Sequence, residues 1–254
     1  AMPGVLDVVQ LPDGVAVVAN TYWAAVKARR ALKIDWDKGE GANLSTASML
    51  DGHVKAASSG KVLPIQPPKG DAMAAINGAA KKLSASYVTP LQSHSPLEPM
   101  NFTAHVTGGK ALLIGPTQFQ QGAQGATAAA LGMKPEDVDV RTTYLGGGFG
   151  RRIELDFVVQ AAQISKAVKL PVKLVWSRED DMTHDFYRPM GLNQLHAGLD
   201  ANGQPVGLHF KVTSQSITQR AFGLPKDTMD PFMVEAAVGP YNIPNTQHDL
   251  VIHD

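Results

Sequence analysis

The 254-residue chain contains no cysteine. Disulfides, thiolate zinc sites and iron–sulfur ligation by this chain are therefore excluded, and the redox compartment stays open. No sign of charge dominates: 23 Lys and Arg balance 23 Asp and Glu, and no basic run exceeds a pair. That argues against a nucleic-acid binder that relies on neutralising phosphates. No apolar stretch approaches the roughly 20 residues that span a bilayer. The opening AMPGVLDVVQL lacks the charge pattern of a signal peptide. The eight histidines show no H-x-H, H-x-x-x-H or H-E-x-x-H spacing, so no metal site is read from them. Gly-x-Ser-x-Gly, the turn that presents a nucleophilic serine, is also missing. What remains is ordinary globular material, 44% hydrophobic and 18% charged.

The most informative segment present is Leu145-Gly146-Gly147-Gly148-Phe149-Gly150-Arg151-Arg152. A strand-like stretch, Val138 to Tyr144, precedes it, and a helix-like stretch, Glu154 to Val168, follows. Glycines at a strand-to-helix turn allow positive φ and let backbone N–H groups approach a ligand closely. A helix start adds unpaired donors and a positive dipole end. The segment fits neither G-x-G-x-x-G, which would need glycine at Arg151, nor the Walker loop with its Gly-Lys-Ser/Thr.

Along the chain, residues 5–10 and 15–19 read as strands joined at Pro12-Asp13-Gly14, Thr21 caps a helix, and Lys33 to Trp36 reads as a returning strand. A β-β-α-β unit thus occupies 1–37. A turn-rich stretch with a short helix at 45–58 follows, then KVLPIQPPK as an extended connector, and a helix from Asp71 to about Leu83. Residues 38–85 therefore read as a linker. From residue 86 to 254 strands interleave with helices. Gly108-Gly109 and Asp200-Ala201-Asn202-Gly203 mark hairpins, Gln120 to Leu131 a small-residue helix, and Val172–Trp176 a buried strand. The region from Pro231 onward reads as loop-rich. The fold class is α+β.

Several segments, in order, resemble the molybdenum hydroxylases, the xanthine oxidase and aldehyde oxidase family. Ala1-Met2-Pro3-Gly4-Val5, Val15 to Ala19 and Trp23-Ala24-Ala25 resemble the end of its hammerhead domain. His94-Ser95-Pro96-Leu97-Glu98-Pro99-Met100, Pro116-Thr117-Gln118, the GGGFG loop, Trp176 to Asp181 and Tyr241-Asn242-Ile243-Pro244-Asn245 resemble further family motifs. The Arg-Arg ending of the loop is most similar to the large, molybdopterin-binding subunit of bacterial isoquinoline 1-oxidoreductase-type enzymes. The resemblance implies a hammerhead remnant at 1–37 and the N-terminal part of a molybdopterin-binding domain at 86–254.

It also implies roles. Gln118 matches the glutamine that hydrogen-bonds an oxygen ligand of molybdenum, and an amide can donate there without adding charge. Gly147, Gly148, Phe149, Gly150 and Arg151 match the cofactor-binding loop, with Phe149 and Gly150 offering main-chain N–H groups. Arg151 and Arg152 stand where the purine-oxidising branch has Lys and Glu, so purine specificity is not expected. Either arginine could hold an anionic cofactor group or pair with Glu98 or Asp156. Glu98 reads as a buried structural carboxylate satisfied by backbone N–H groups.

The implied cofactors are a molybdenum-pterin dinucleotide in its cytosine form and 2Fe-2S clusters on a small partner subunit. The implied substrates are N-heteroaromatic compounds or aldehydes, with water as the oxygen source. No catalytic residue is expected in this chain, because the family's general-base glutamate lies farther downstream. The chain reads as a piece of a longer bacterial subunit, cytoplasmic or periplasmic and inactive alone. The alternative is a non-catalytic module that docks a partner subunit through the loop and the small-residue helix.

Overall fold

Side-chain caps written into the sequence fix where several helices begin. The Thr21 hydroxyl accepts from Ala24 N–H, the Asp71 carboxylate from Ala74 N–H, and Ser45 and Ser177 form capping boxes with Ser48 and Asp180. The structure is a computed structural model that describes residues 2–226 and 228–253. Ala1, which opens the first hammerhead-like segment, and the terminal Asp254 lie outside the described residues.

In chain order, β1 (Val5–Leu11), β2 (Gly14–Ala19), α1 (Tyr22–Ala31), α2 (Thr46–Ser59), β3 (Val62–Pro64), α3 (Ala72–Gly78) and β4 (Lys81–Thr89) come first. Then follow β5 (Asn101–Thr107), β6 (Lys110–Gly115), α4 (Gln120–Leu131), β7 (Val138–Thr142), α5 (Asp156–Val168), β8 (Val172–Val175) and α6 (Arg178–Thr183). The last are β9 (Gly191–Leu199), β10 (Pro205–Ser214), α7 (Ile217–Phe222), α8 (Pro231–Val234) and β11 (Asn245–Ile252). The sheets mix parallel and antiparallel pairs, so the class is α+β as expected. No helix among the described residues is long and apolar enough to cross a membrane.

Some local expectations need correcting. Lys33 to Trp36 forms no strand, because β1 and β2 make a two-stranded sheet that offers it no ladder. The helix capped by Asp71 stops at Gly78 rather than near Leu83, since Lys81 to Leu83 already pair with Leu199 to Ala197 of β9. The stretch 38–85 thereby supplies β3 and the first half of β4. The region after Pro231 contains β11, whose parallel pairing with β10 supplies what its local composition does not.

The described chain forms two compact units, Ala1–Asp37 with Ser93–Phe186 and Lys38–Gln92 with Tyr187–Asp254. In the first, the sheet β7-β6-β5-β8 is covered by α4 and α5. The core centres on Met100, Phe102, Leu113, Phe157 and Val158, all fully buried, with the Phe102 and Phe157 rings 5.8 Å apart. The β1–β2 hairpin is tied to this core by polar contacts. Trp176 Nε1 donates to Gln160 Oε1 at 3.1 Å, and Gln160 Nε2 to Asp13 Oδ2 at 2.8 Å. Arg29 pairs with Asp180 as well.

The second unit is built on the sheet β3-β11-β10-β9-β4. Gly198 and Gly207 are cross-strand partners on β9 and β10, and together they leave a shelf on which α3 sits. A Cβ on Gly198 would stand 2.7 Å from Ala79 Cβ and 3.0 Å from Ile76 Cα. Gly198→Ala should therefore destabilise the chain by about 1–3 kcal/mol, as overpacking does. Gly78→Ala, where nothing lies within 4 Å of the added methyl, should be within about 0.5 kcal/mol of wild type or slightly stabilising. Urea unfolding of the two variants checks this; an equal loss in both would refute the shelf.

Candidate cofactor site

β6 and β7 are parallel, with Gly115 opposite Thr142. Their C-terminal ends therefore deliver Thr117-Gln118 and the glycine loop side by side, at the strand edge where open α/β sheets commonly bind ligands. Three loop positions have positive φ: Gly147 at 97°, Phe149 at 54° and Gly150 at 101°. The glycines adopt this without steric penalty, whereas Phe149 is held there at a cost of order 1 kcal/mol. Its ring is 63% exposed, so burial does not explain the conformation. Gly148 needs to be glycine for a different reason. A Cβ there would run into the Gln118 amide, and one on Gly146 into the Glu98 side chain.

Gln118 clasps the loop. Its backbone N–H donates to Arg152 O at 3.0 Å, and its Oε1 accepts from Gly150 N at 3.2 Å and Arg152 N at 3.3 Å. Thr117 adds a hydroxyl bond to the same Arg152 carbonyl at 3.2 Å. The Gly150 N–H, expected to address the cofactor, is thus given to Gln118. The glutamine oxygen is committed to the chain itself, so an outside ligand would meet its NH2 donors.

Behind the loop lie two fully buried guanidiniums. Arg152 donates to Gly147 O and Glu98 O, each at 2.7 Å, and to Glu98 Oε2 at 2.9 Å. Glu98 Oε2 also accepts from Gly146 N at 3.0 Å, and Oε1 from Asn101 Nδ2 at 3.0 Å. The Glu98 side chain is 37% exposed, which corrects the expectation of a buried carboxylate held by backbone groups alone. Arg151 makes two bonds to Asp156, at 2.9 and 2.8 Å, within a ring of Phe157, Trp176 and Phe186. Its Nε lies 3.0 Å from Asp185 Oδ1, an ion-pair distance without hydrogen-bond direction. Asp185 in turn accepts from His94 N at 2.6 Å, Ser93 Oγ at 2.9 Å and His94 Nδ1 at 3.1 Å.

These contacts set the protonation states. Burial opposes charge on Arg151, but the bonds to Asp156 and the charges of Asp156, Asp185 and Glu154 raise its pKa overall. Burial lowers that of Arg152, with Glu98 and Asp181 opposing it. For Asp185 burial pushes upward, yet the bonds from His94 and Ser93 outweigh it and lower the pKa. Burial raises that of Asp181 despite Arg178 at 2.6 Å.

Of the residues expected at the site, Gln118, Gly147, Gly148, Phe149 and Gly150 meet in one place. Arg151 lies behind the loop, fully buried, with its guanidinium committed to Asp156. Sequence reasoning missed the roles of His94 and Asp185. His94 lies in one of the family-like motifs, but Asp185 is 91 residues away from it and carries no local signal. Among the described residues no group of three or more His, Asp or Glu could hold a metal ion.

A backbone-lined loop clasped by one neutral amide thus stands at the ends of parallel strands in an α+β domain. Residues 54–252 match the model of the molybdopterin cofactor-binding domain, and the chain belongs to that family. It is 29% identical over 231 residues to the beta subunit of isoquinoline 1-oxidoreductase from Brevundimonas diminuta, covering 87% of this chain and 29% of that protein. It is 34% identical over 147 residues to the molybdenum-binding subunit of an aldehyde oxidoreductase from Escherichia coli K12, covering 55% and 20%. The aldehyde oxidoreductase of Desulfovibrio gigas shares the fold at a TM-score of 0.71 and 18% identity, over 99% of this chain and 32% of that one. The chain thus spans less than a third of the length of these relatives. All three are oxidoreductases by name, and the Escherichia coli one is a molybdenum-binding subunit.

Two outcomes follow. Gln118→Leu should speed hydrogen exchange at the Gly150 and Arg152 amides while costing only about 1–2 kcal/mol of global stability; unchanged exchange would refute the clasp. Asp185 has a lowered folded pKa, so its contribution is full above the unfolded value near 4 and is lost as pH falls through the folded one. Asp185→Asn should cost on the order of 3 kcal/mol at pH 7 and flatten that acid limb in a pH series of urea melts.

Proposed function

We propose that this chain is the first cofactor-binding segment of a molybdenum hydroxylase large subunit. The observation that carries the reading is the Gln118 clasp on a loop whose inner face a single added Cβ would fill, in a chain of the molybdopterin-binding family. The donor set fits a cofactor that brings its own ligands for the metal. Gln118 offers amide N–H groups, and Gly147 and Gly148 offer close backbone approach without side chains. Arg152 holds that backbone from behind through the Gly147 and Glu98 carbonyls.

When bound, the molybdenum-pterin cofactor, in its cytosine dinucleotide form, supplies a two-electron redox centre for inserting a water-derived oxygen into a C–H bond. Gln118 orients the ligand by donation, and the loop backbone excludes water from the face it covers. The rest of the reading concerns the longer subunit. Its substrates are N-heteroaromatic compounds or aldehydes, and its electrons leave to 2Fe-2S clusters on a small partner subunit. Its general-base glutamate comes from outside this chain, and its compartment is the cytoplasm or periplasm. Alone, the 254-residue chain is inactive.

The test is molybdenum content by plasma mass spectrometry. The longer subunit, co-expressed with its iron–sulfur partner, should carry near-stoichiometric molybdenum, and the 254-residue chain none. Gly148→Ala in the longer subunit should lower loading severalfold, because the added methyl meets Gln118. A well-folded, molybdenum-free parent made in a cofactor-competent host would sink the reading.

A further inference from the structure

The second unit holds a cavity of about 320 Å³ on the sheet face that also carries Val212 and Leu250. Its frame is set by backbone bonds. After β3 the chain continues along β11: Ile65 N–H donates to His248 O at 2.8 Å, Lys69 N–H to Thr246 O at 2.9 Å, and Thr246 N–H back to Lys69 O at 2.8 Å. This pairing brings Gln66, Lys69, Thr246 and His248 to one wall. Leu208, Val238 and Ile243 form apolar walls, with the exposed Tyr241 at the rim.

The polar groups on this wall are arranged as donors. His248 is 4% exposed, and burial lowers its pKa, with the Asp249 charge opposing and that of His209 adding. Burial thus favours the neutral ring. Gln66 Nε2 lies 3.3 Å from His248 Nδ1, which assigns Nδ1 as acceptor and places the proton on Nε2. Nε2 has no hydrogen-bond partner among the described residues. The Lys69 ammonium bonds the neutral Asn242 Oδ1 at 2.9 Å and is paired with no carboxylate among the described residues. None of the lining residues is acidic. Asp249, next along β11, alternates to the opposite face, where His209 Nε2 and Gln247 Nε2 each reach it at 2.8 Å.

A donor on a largely buried ring, a cation without a carboxylate partner and apolar walls in one small cavity form the combination that recognises an anion with a hydrocarbon body. We propose that this cavity binds a small carboxylate with an apolar body, the carboxylate on Lys69 and His248 and the body against Leu208, Val238 and Ile243. The site is separate from the glycine loop and does not rest on the molybdenum reading.

Benzoate is the probe. Titrated into the 254-residue chain, it should move the amide resonances of Val238, Gly239 and Thr246 saturably. Benzyl alcohol, with the ring but no charge, should bind about tenfold more weakly. Lys69→Met removes the ammonium from an exposed position and should weaken benzoate about tenfold, as loss of a charge-assisted bond does. Lys69→Arg should recover most of that loss, and chemical-shift dispersion confirms that both variants fold. Absence of saturable shifts, equal affinity for benzyl alcohol, or unchanged benzoate affinity in Lys69→Met would each overturn the proposal.

Discussion

The first unit is organised around two guanidiniums that have no access to water. Arg151 and Arg152 are adjacent and fully buried, and a buried unpaired charge would cost several kcal/mol. Each must therefore be met by acceptors from elsewhere in the chain. Asp156 comes from the start of α5, Asp185 from beyond α6, and Glu98 from the segment before β5. Two of the acceptors are loop and connector carbonyls, those of Gly147 and Glu98. Satisfying two cations thus fixes the glycine loop and the segment 93–100 in one arrangement. The net contribution to stability is modest, because desolvation offsets much of the Coulomb gain. What the pairing fixes is geometry.

That geometry keeps the guanidinium charges away from the open side of the loop. The loop turns glycines, a solvent-facing Phe149 and a neutral amide toward its open side. Arg151, Arg152, Asp156 and Asp185 stand one layer behind, while the partly exposed Glu98 spends its carboxylate on Arg152, Asn101 and the Gly146 N–H. A site built this way can present backbone dipoles to an oxygen-rich or heterocyclic ligand without a fixed charge that would favour the wrong partner. Any of Asp156, Asp185 or Glu98 moved into the loop would reverse this. The positive φ at Phe149 fits the same picture, since a strained residue persists only where its neighbours over-determine the backbone.

Much of this was legible in the sequence. Small-residue turns, Ser, Thr and Asp caps and alternating strands gave the hairpins at Gly108-Gly109 and Asp200 to Gly203, and the helix over Gln120 to Leu131. The glycine loop and Gln118 stood out because clustered glycines at a strand-to-helix turn are a local signal and because the surrounding motifs resemble one family. Illegible were the features decided at long range. β4 begins at Lys81 because β9 offers a ladder, and β11 exists because β10 does, while Lys33 to Trp36 has no such neighbour. Likewise, nothing near Asp185 announces that it will meet His94 and Arg151. Electrostatic partners are chosen by the fold, and pairwise charge leaves no periodic trace.

The register of β6 and β7 links these observations. Had the parallel pairing slipped by one residue, Gln118 would no longer stand opposite the N–H groups of Gly150 and Arg152. Two backbone donors would then lose their acceptor. The slip is opposed from the core side, since moving β7 by one residue would turn its buried Val138 away from the core that holds Leu113. Hydrophobic alternation along two short strands therefore sets, indirectly, where a polar amide meets a glycine loop. It also explains why α4 can be so poor in large side chains. Its Ala123, Thr127 and Ala128 are buried, and small residues let the helix that starts two positions after Gln118 lie close against the sheet. Close packing there carries the precision of the strands to the clasp.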